Sequence, residues 1–325
     1  MKFRSKNLLV TGGAGFIGSN FINYFFKKYN STNIINLDLL TYAGNLDNLN
    51  NISNNPSYTF IHGDICDKKL VDDIFLKYKI DGVINFAAET HVDNSIKKPD
   101  IFIKTNINGV FNILQIAYKY WMNKPFKIDT GFELARFHQI STDEVYGSIE
   151  SGSFTENSRY SPNSPYSASK ASADMLVRSF NKTYGLNTTI SICSNNFGPN
   201  QNAEKFIPKI INCIKNKKPI PVYGNGMNIR DWIYVLDHCK AIDLIYNNSK
   251  NGSYYNIGGE CELSNLELIN IISKILDTKT NKLEFISDRF GHDKRYSLNI
   301  KKIKLELDWI SNSSFTELIS NYINS

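Results

Sequence analysis

The sequence predicts an α/β protein, a doubly wound parallel sheet followed by a smaller C-terminal α/β region, and three observations lead there. Short apolar runs alternate with longer amphipathic ones through the first half of the 325 residues. A glycine-rich turn directly follows the first apolar run, and after about Phe197 the alternation gives way to shorter elements punctuated by Pro, Gly and Asn. Strands alternating with helices at this spacing specify parallel pairing, because each parallel crossover needs a helix to cross the sheet face.

Taken in order, Asn7 to Val10, Asn33 to Leu37, Tyr58 to Ile61, Gly82 to Ala87, Arg136 to Ser141 and Thr188 to Cys193 read as strands. Between them Phe16 to Tyr29, Lys68 to Lys79, Pro99 to Trp121 and Tyr166 to Tyr184 carry apolar residues at helical spacing. Segments such as Pro219 to Asn228 and Gly258 to Ser264 belong to the irregular second region. There is no internal repeat at a fixed period. The Asn-rich stretch Asn45 to Asn55 reflects biased composition rather than a functional tract.

Composition narrows the function classes. A 42% hydrophobic content supports a sizeable core, and the net charge of +6 is scattered rather than gathered into a basic block, which argues against nucleic acid as a partner. The five cysteines are widely spaced without metal-ligand neighbours, so no metal is expected and the thiols read as reduced. No run of eighteen apolar residues spans a membrane, and the first strand begins too early for a leader ahead of it; a cytoplasmic protein is the expectation.

Thr11 to Gly18 opens the first helix straight after the first strand. Gly12, Gly15 and Gly18 let the backbone approach a pyrophosphate, whose charge the helix N-terminus meets. Asp38 ends the second strand, placed to accept both hydroxyls of an adenosine ribose and to repel a 2'-phosphate. Leu39 and Leu40 follow without a compensating Arg, so this Rossmann-like pattern favours NAD over NADP.

Two further groups carry chemistry. Tyr166 and Lys170, four apart at the start of a helix, share a face, so an ammonium there favours a phenolate able to take a hydroxyl proton. Ser141 to Gly147 places Thr142, Asp143 and Glu144 just beyond the fifth strand, and two adjacent carboxyls can divide into acid and base if their surroundings separate them. Each group alone has a bland reading, a chance helix pair and a solvated turn. Their company beside a dinucleotide fingerprint weakens both.

Together TGGAGFIGS, YSASK and STDEVYG resemble the extended short-chain dehydrogenase/reductase family, and within it the dTDP-glucose 4,6-dehydratases. The likeness continues through LTYAGN, GDICD, FAAETHVD, CSNNFGPNQ, PVYGNGMNIRDWIYV, YNIGG and DRFGHDKRY, and so covers nearly the whole chain. It implies a hydro-lyase that turns a nucleoside-diphosphate glucose into a 4-keto-6-deoxy sugar, as in rhamnose or other deoxysugar synthesis. Tyr166 with Lys170 and Thr142 would serve the redox step, Glu144 would take the C5 proton, and Asp143 would protonate the departing 6-hydroxyl.

The resemblance also implies contacts. Phe16, Ile17, Asp38, Leu39, Leu40, Thr41, Asp64 and Ile65 would line the cofactor site with Phe86, Ala87, Ala88, Thr105 and Asn196. Thr90, Asn195, Lys205, Phe206, Pro221, Val222, Tyr223 and Arg230 would hold substrate with Thr142, Asn256, Asp288, Arg289 and His292. Residues 1–196 would form the NAD-binding domain, with 231–258 returning to it, and 197–325 mainly the substrate-binding domain. A homodimer is implied through the helices Pro99 to Trp121 and Tyr166 to Tyr184.

Some positions depart from the pattern. Asn94 stands where bacterial dTDP-glucose enzymes have Arg, and THVDNS resembles the UDP-glucose 4,6-dehydratases of plants; Phe290 replaces a usual Pro and Phe197 a usual Tyr. GHD and NIRDWIYV point back to dTDP-glucose. One methyl and one hydroxyl separate the nucleotides, and a methylene-sized difference is worth about 1–3 kcal/mol, so acceptance of both is expected. A nucleotide-sugar 4-epimerase and a catalytically silent NAD-binding protein are the alternative readings.

Overall fold

The computed structural model describes residues 4–29, 31–278, 282–311 and 314–324. Seven parallel strands form the central sheet: β1 (Asn7–Thr11), β2 (Asn33–Asp38), β3 (Tyr58–His62), β4 (Gly82–Asn85), β5 (Arg136–Thr142), β6 (Thr188–Cys193) and β7 (Tyr254–Ile257). Their spatial order is β7-β6-β5-β4-β1-β2-β3. The main helices are α1 (Phe16–Lys28), α2 (Lys68–Tyr78), α3 (Val110–Trp121), α4 (Pro165–Tyr184), α5 (Phe206–Lys215), α6 (Val235–Asn248) and α7 (Asn265–Ile275).

Both sheet faces are covered, which is why the strands read as continuous apolar runs rather than alternating ones. In β1, Leu9 joins one core with Val83, Phe137 and Ile190 under α2, α3 and α4. Its neighbours Leu8 and Val10 point the other way, into a core shared with Phe21, Ile22, Phe25 and Ile242 of α1 and α6. Helix α4 starts sharply because Ser164 and Ser167 form a capping box around Pro165, and it stops at Gly185 in a left-handed conformation.

The chain order reverses between β1, which continues to β2 and β3, and β4, which continues to β5. Such a reversal leaves a crevice at the carboxyl ends of the strands, where ligands bind. Register brings Thr11 beside Leu37 and Asn85, and Thr142 beside Cys193, so the motif-bearing strand ends share one edge.

Beyond Phe197 a third core gathers Ile207, Ile210, Ile220, Val222, Trp232, Leu268 and Ile319. Two small sheets flank it: Ile220–Tyr223 pairs in parallel with Leu283–Ile286, and Ile229–Tyr234 lies between Asn195–Phe197 and Glu262–Ser264. After α6 the chain returns to the large sheet as β7.

Two elements differ from their sequence reading. The single helix expected from Pro99 to Trp121 is a short α-turn, Pro99–Phe102, a π-helical stretch, Ile103–Gly109, and then α3. Buried Asn106 explains the wider turns: its amide donates to the Glu89 carbonyl (3.0 Å) and to Ser169 (2.8 Å), and it accepts from the Glu89 N–H (2.8 Å). Such π-stretches re-aim side chains near functional sites. The strand expected to reach Ala87 stops at Asn85, and Phe86 and Ala87 turn over the end of β1 with Phe86 N donating to Thr11 O at 3.0 Å.

Candidate active site

A cavity of about 500 Å³ opens at the carboxyl edge of the sheet, walled on one side by strand ends and on the other by the C-terminal region. The first wall is made mainly of backbone. Gly12 has φ +68°, and a Cβ there would stand 2.6 Å from Ala87 N; a Cβ on Gly18 would run into the Gly12 carbonyl oxygen. Helix α1 begins at Gly15 with no side-chain cap and no acidic residue in its first turn, so its N–H groups and dipole are free for an anion.

Asp38 fixes the neighbouring loops. Its carboxylate accepts from Ala14 N (2.9 Å) and Leu40 N (2.8 Å). Around it the cavity is lined by Leu39, Thr41, Ala43 and Gly44, none of them basic. A glycine cradle at a helix N-terminus and a carboxylate that pairs with no cation among the described residues fit NAD, with Asp64, Ile65, Ala88, Thr105 and Asn196 also lining the cavity.

At the end of β5, Thr142 caps a single 3-10 turn, Asp143–Tyr146, and this turn sets both carboxyls into the cavity. The Thr142 hydroxyl donates to Asp143 Oδ1 at 3.2 Å, while Asp143 Oδ2, also buried, has no hydrogen-bond partner among the described residues. Burial, and then the Glu144 charge, push Asp143 well above the usual carboxylate range. Glu144 is raised too, chiefly by burial, but Arg230, Lys205 and Arg289 all oppose the shift. Around Glu144 three cations stand against one carboxylate, Asp293, and favour its ionised form, whereas Asp143 has Arg230 against two carboxylates, Glu144 and Asp231.

Helix α4 delivers Tyr166 and Lys170 to the same place. Burial and then Glu144 raise the Tyr166 phenol well above its ordinary value, and a hydrogen bond with Thr142 pulls the other way. Burial lowers the Lys170 ammonium, whose Nζ donates to the Ile140 carbonyl at 2.6 Å.

The second wall is made of side chains. Arg230 donates to the Ile229 and Asp293 carbonyls (2.8 and 3.0 Å) and lies 4.2 Å over the Tyr296 ring. Arg289 pairs with Asp93 at 3.1 Å and lies 4.6 Å over Tyr223, whose hydroxyl donates to the same Asp93 at 3.0 Å. Lys205 donates to the Thr90 carbonyl at 3.3 Å, and burial lowers its ammonium. Phe206, Pro221, Asn195 and His292 complete this side. Burial lowers His292, although Asp288 at 2.6 Å opposes that.

A family model described as GDP-mannose 4,6 dehydratase matches residues 9–322. The chain belongs to this dehydratase family. The dTDP-glucose 4,6-dehydratase of Neisseria gonorrhoeae is 44% identical over 323 residues, 95% of this chain and 92% of that protein. The crystal structure of the dTDP-glucose 4,6-dehydratase DesIV from Streptomyces venezuelae, with NAD and TYD bound, matches with a TM-score of 0.91 at 40% identity. That match covers 98% of this chain and 96% of the other. A UDP-glucose 4-epimerase from Thermotoga maritima, with UDP-glucose, shares the fold at a TM-score of 0.87 and 26% identity, over 98% and 97% of the two chains. These matches bear out the resemblance to dTDP-glucose 4,6-dehydratases.

In this member of the dehydratase family, four residues named from sequence lie outside the cavity wall: Leu40, Val222, Asn256 and Asp288. Strand alternation explains Val222, which enters the third core while Pro221 and Tyr223 face the cavity. Asn256 is fully buried on β7, accepting from the Tyr146 hydroxyl (2.9 Å) and donating to the Phe154 carbonyl (2.9 Å). Leu40 forms the left-handed bend (φ +53°) that lets its N–H reach Asp38. Asp288 acts behind the wall, on His292.

Sequence reading missed Asp93, Trp232 and Tyr296, all of which line the cavity. For Trp232 a signal existed: it stands two residues after Arg230 on one strand, hence on the same face. Nothing local singles out Tyr296, whose place is set by its stack with Arg230 and its hydrogen bond to Asp293 (2.7 Å).

Proposed function

We propose that the chain is a nucleotide-sugar 4,6-dehydratase that converts dTDP-glucose, UDP-glucose or both to the 4-keto-6-deoxy sugar and water. One observation carries this reading: a single cavity holds a dinucleotide cradle, the Tyr166 and Lys170 pair, and a buried carboxyl pair split by its surroundings. A 4-epimerase has no step that uses such a pair, and a silent binding protein has no use for Tyr166 beside Lys170.

The cradle of Gly12, Gly15, Phe16, Ile17 and Gly18, with Asp38, holds NAD, and what bound NAD supplies is reversible storage of a hydride. The chain's residues move the protons. Tyr166 Oη takes the proton of the sugar 4-hydroxyl, with the Thr142 hydrogen bond favouring the phenolate and Lys170 one turn along α4 bringing a positive charge to the same cavity. Once C4 is a ketone its neighbour C5 is acidic, and ionised Glu144 removes that proton. Asp143, kept neutral by burial, gives its proton to the departing 6-hydroxyl, which leaves as water. Glu144 then returns a proton to C5 as C6 becomes a methyl, and Tyr166 releases its proton when the sequence closes.

The C-terminal region acts as the substrate-binding domain, residues 197–325 in the main, with 231–258 serving the NAD-binding domain formed by 1–196. Arg230 and Arg289 hold the diphosphate through charge-assisted forks, and Tyr223 with Pro221 meets the base. Exposed Ile101, Ile103, Phe111 and Met175, on the segments around α3 and α4, support a homodimer formed through these helices. Among the described residues no helix is long and apolar enough to cross a membrane. The five free cysteines support a place in a reducing compartment, the cytoplasm, where the product would supply rhamnose or another deoxysugar.

The test is an assay of the purified protein with dTDP-glucose and UDP-glucose in parallel, read by mass spectrometry. Loss of one water from either is expected. A protein that carries NAD yet isomerises the sugar at C4 without losing water sinks the dehydratase reading.

A further inference from the structure

We propose that Asp174 is a positioning residue for this reaction: from inside the protein it keeps Lys170 charged and pins the strand end that carries Thr142, Asp143 and Glu144. The proposal rests on the reading of Tyr166 and Lys170 as the proton-handling pair.

The geometry begins with helical spacing. Tyr166, Lys170 and Asp174 follow one another at four-residue intervals along α4, so a carboxylate lies one turn behind the ammonium on the same face. Asp174 is wholly buried. Its Oδ2 accepts from the Ser141 hydroxyl of β5 at 2.5 Å and from the Tyr160 hydroxyl at 3.2 Å, while Oδ1 has no hydrogen-bond partner among the described residues. A buried carboxylate left half-satisfied is costly, and a helix position facing the core is filled more cheaply by Ala or Leu.

Two consequences follow from where it sits. Burial lowers the Lys170 ammonium, and the leading influence against that loss is Asp174, ahead of Cys193. Lys170 spends one N–H on the Ile140 carbonyl, so a carboxylate one turn away supplies the compensating charge without taking another donor from the cavity. At the same time Asp174 grips Ser141, the residue before Thr142, and thereby sets the turn that presents both catalytic carboxyls.

The groups facing Asp174 are Ser141 from β5, Tyr160 from the segment before α4, Tyr146 from the turn after β5, and Lys170 and Arg178 from α4 itself. Burial raises Asp174 to about 6, with Lys170 and the Ser141 hydrogen bond opposing. Both of these opposing influences favour the ionised form of Asp174, the form that Lys170 needs.

The deciding experiment compares wild type with Asp174→Asn, both loaded with NAD, by the pH dependence of kcat and by NMR titration of the Lys170 side chain. Removing the negative charge lowers Lys170 further, so the alkaline limb of kcat should move to lower pH by more than about half a unit, a threefold change in the proton equilibrium. The Lys170 titration should move with it, while KM changes little. A lower kcat with both titrations unmoved would make Asp174 merely structural and overturn the proposal.

The NMR reading does not depend on turnover. A chain that fails to dehydrate either sugar yet shows the Lys170 shift would overturn the function and leave Asp174's role standing. If the Asn variant does not fold, the wild-type Lys170 signal must itself show an inflection near 6, and Ser141→Ala, which removes a donor from Asp174, must carry that inflection to higher pH. A flat trace, or an inflection indifferent to Ser141, refutes the coupling.

Discussion

The two walls of the cavity are built from different materials. The wall proposed for the cofactor is backbone: glycines that a Cβ would block, the open N-terminus of α1, and strand ends fixed by the sheet ladder. The wall proposed for the substrate is side chains, and several are held by residues remote in sequence. Asp93, in the short helix Val92–Lys97, holds Arg289 and Tyr223 from the C-terminal region, and Arg230 rests on Tyr296. A backbone wall tolerates loss of a single side chain because its N–H groups and dipole remain. A side-chain wall loses a whole charge with each substitution.

At the seam between the walls lie the carboxyls, and there the largest effect is expected. Glu144→Gln should lower kcat by about 10²–10⁴-fold, the usual contribution of a general base, and abolish solvent exchange at C5. NAD content should not change, since Glu144 is not part of the glycine cradle. Normal exchange at C5 would remove Glu144 from its role.

Next comes the side-chain wall. Arg230→Lys keeps a positive charge but loses the planar fork and its stack on Tyr296. The expected loss is about 10- to 100-fold in kcat/KM, carried mostly by KM, corresponding to about 1.5–3 kcal/mol for a charge-assisted contact. Asp38→Ala tests the opposite wall and should weaken NAD retention by about tenfold or less, because the glycines and the helix terminus persist. An Asp38 effect larger than the Arg230 effect, each measured on its own ligand, would break the distinction between the walls.

The same distinction explains what was legible in the sequence. The glycine turn, Asp38, Tyr166 with Lys170, and the Asp143–Glu144 turn were readable because each is a local pattern whose backbone geometry follows from its own residues. Six strands fell close to their observed bounds for the same reason: both faces are buried, so apolar runs mark them. The break in the Pro99 to Trp121 helix was not readable, since it depends on Asn106 reaching Glu89 and Ser169. Resemblance carries a motif over whole, whereas strand alternation sends Val222 into the third core and the Tyr146 and Phe154 hydrogen bonds hold Asn256 away from the cavity wall. Asp93 gains its place from tertiary partners, and Tyr296 gains its own from its stack with Arg230 as well as from nearby Asp293.

The last expected effect is on stability, and its sign is opposite to the effect on activity. Burial holds Asp143 well above its unfolded value, which is about 3.9. A carboxyl whose folded pKa is raised leaves the fold at full stability below the unfolded pKa, and that stability is lost as pH rises toward the folded pKa. Asp143→Asn removes this liability while keeping shape and the acceptor for the Thr142 hydroxyl. The variant should therefore melt higher than wild type at pH 7 to 8, with the gap closing as pH falls to about 4, while dehydration is largely lost. Thermal melts across that range decide it: a gap that widens toward acid would mean that Asp143 is ionised in the folded protein, and the acid assigned to the 6-hydroxyl would have to be sought elsewhere in the cavity.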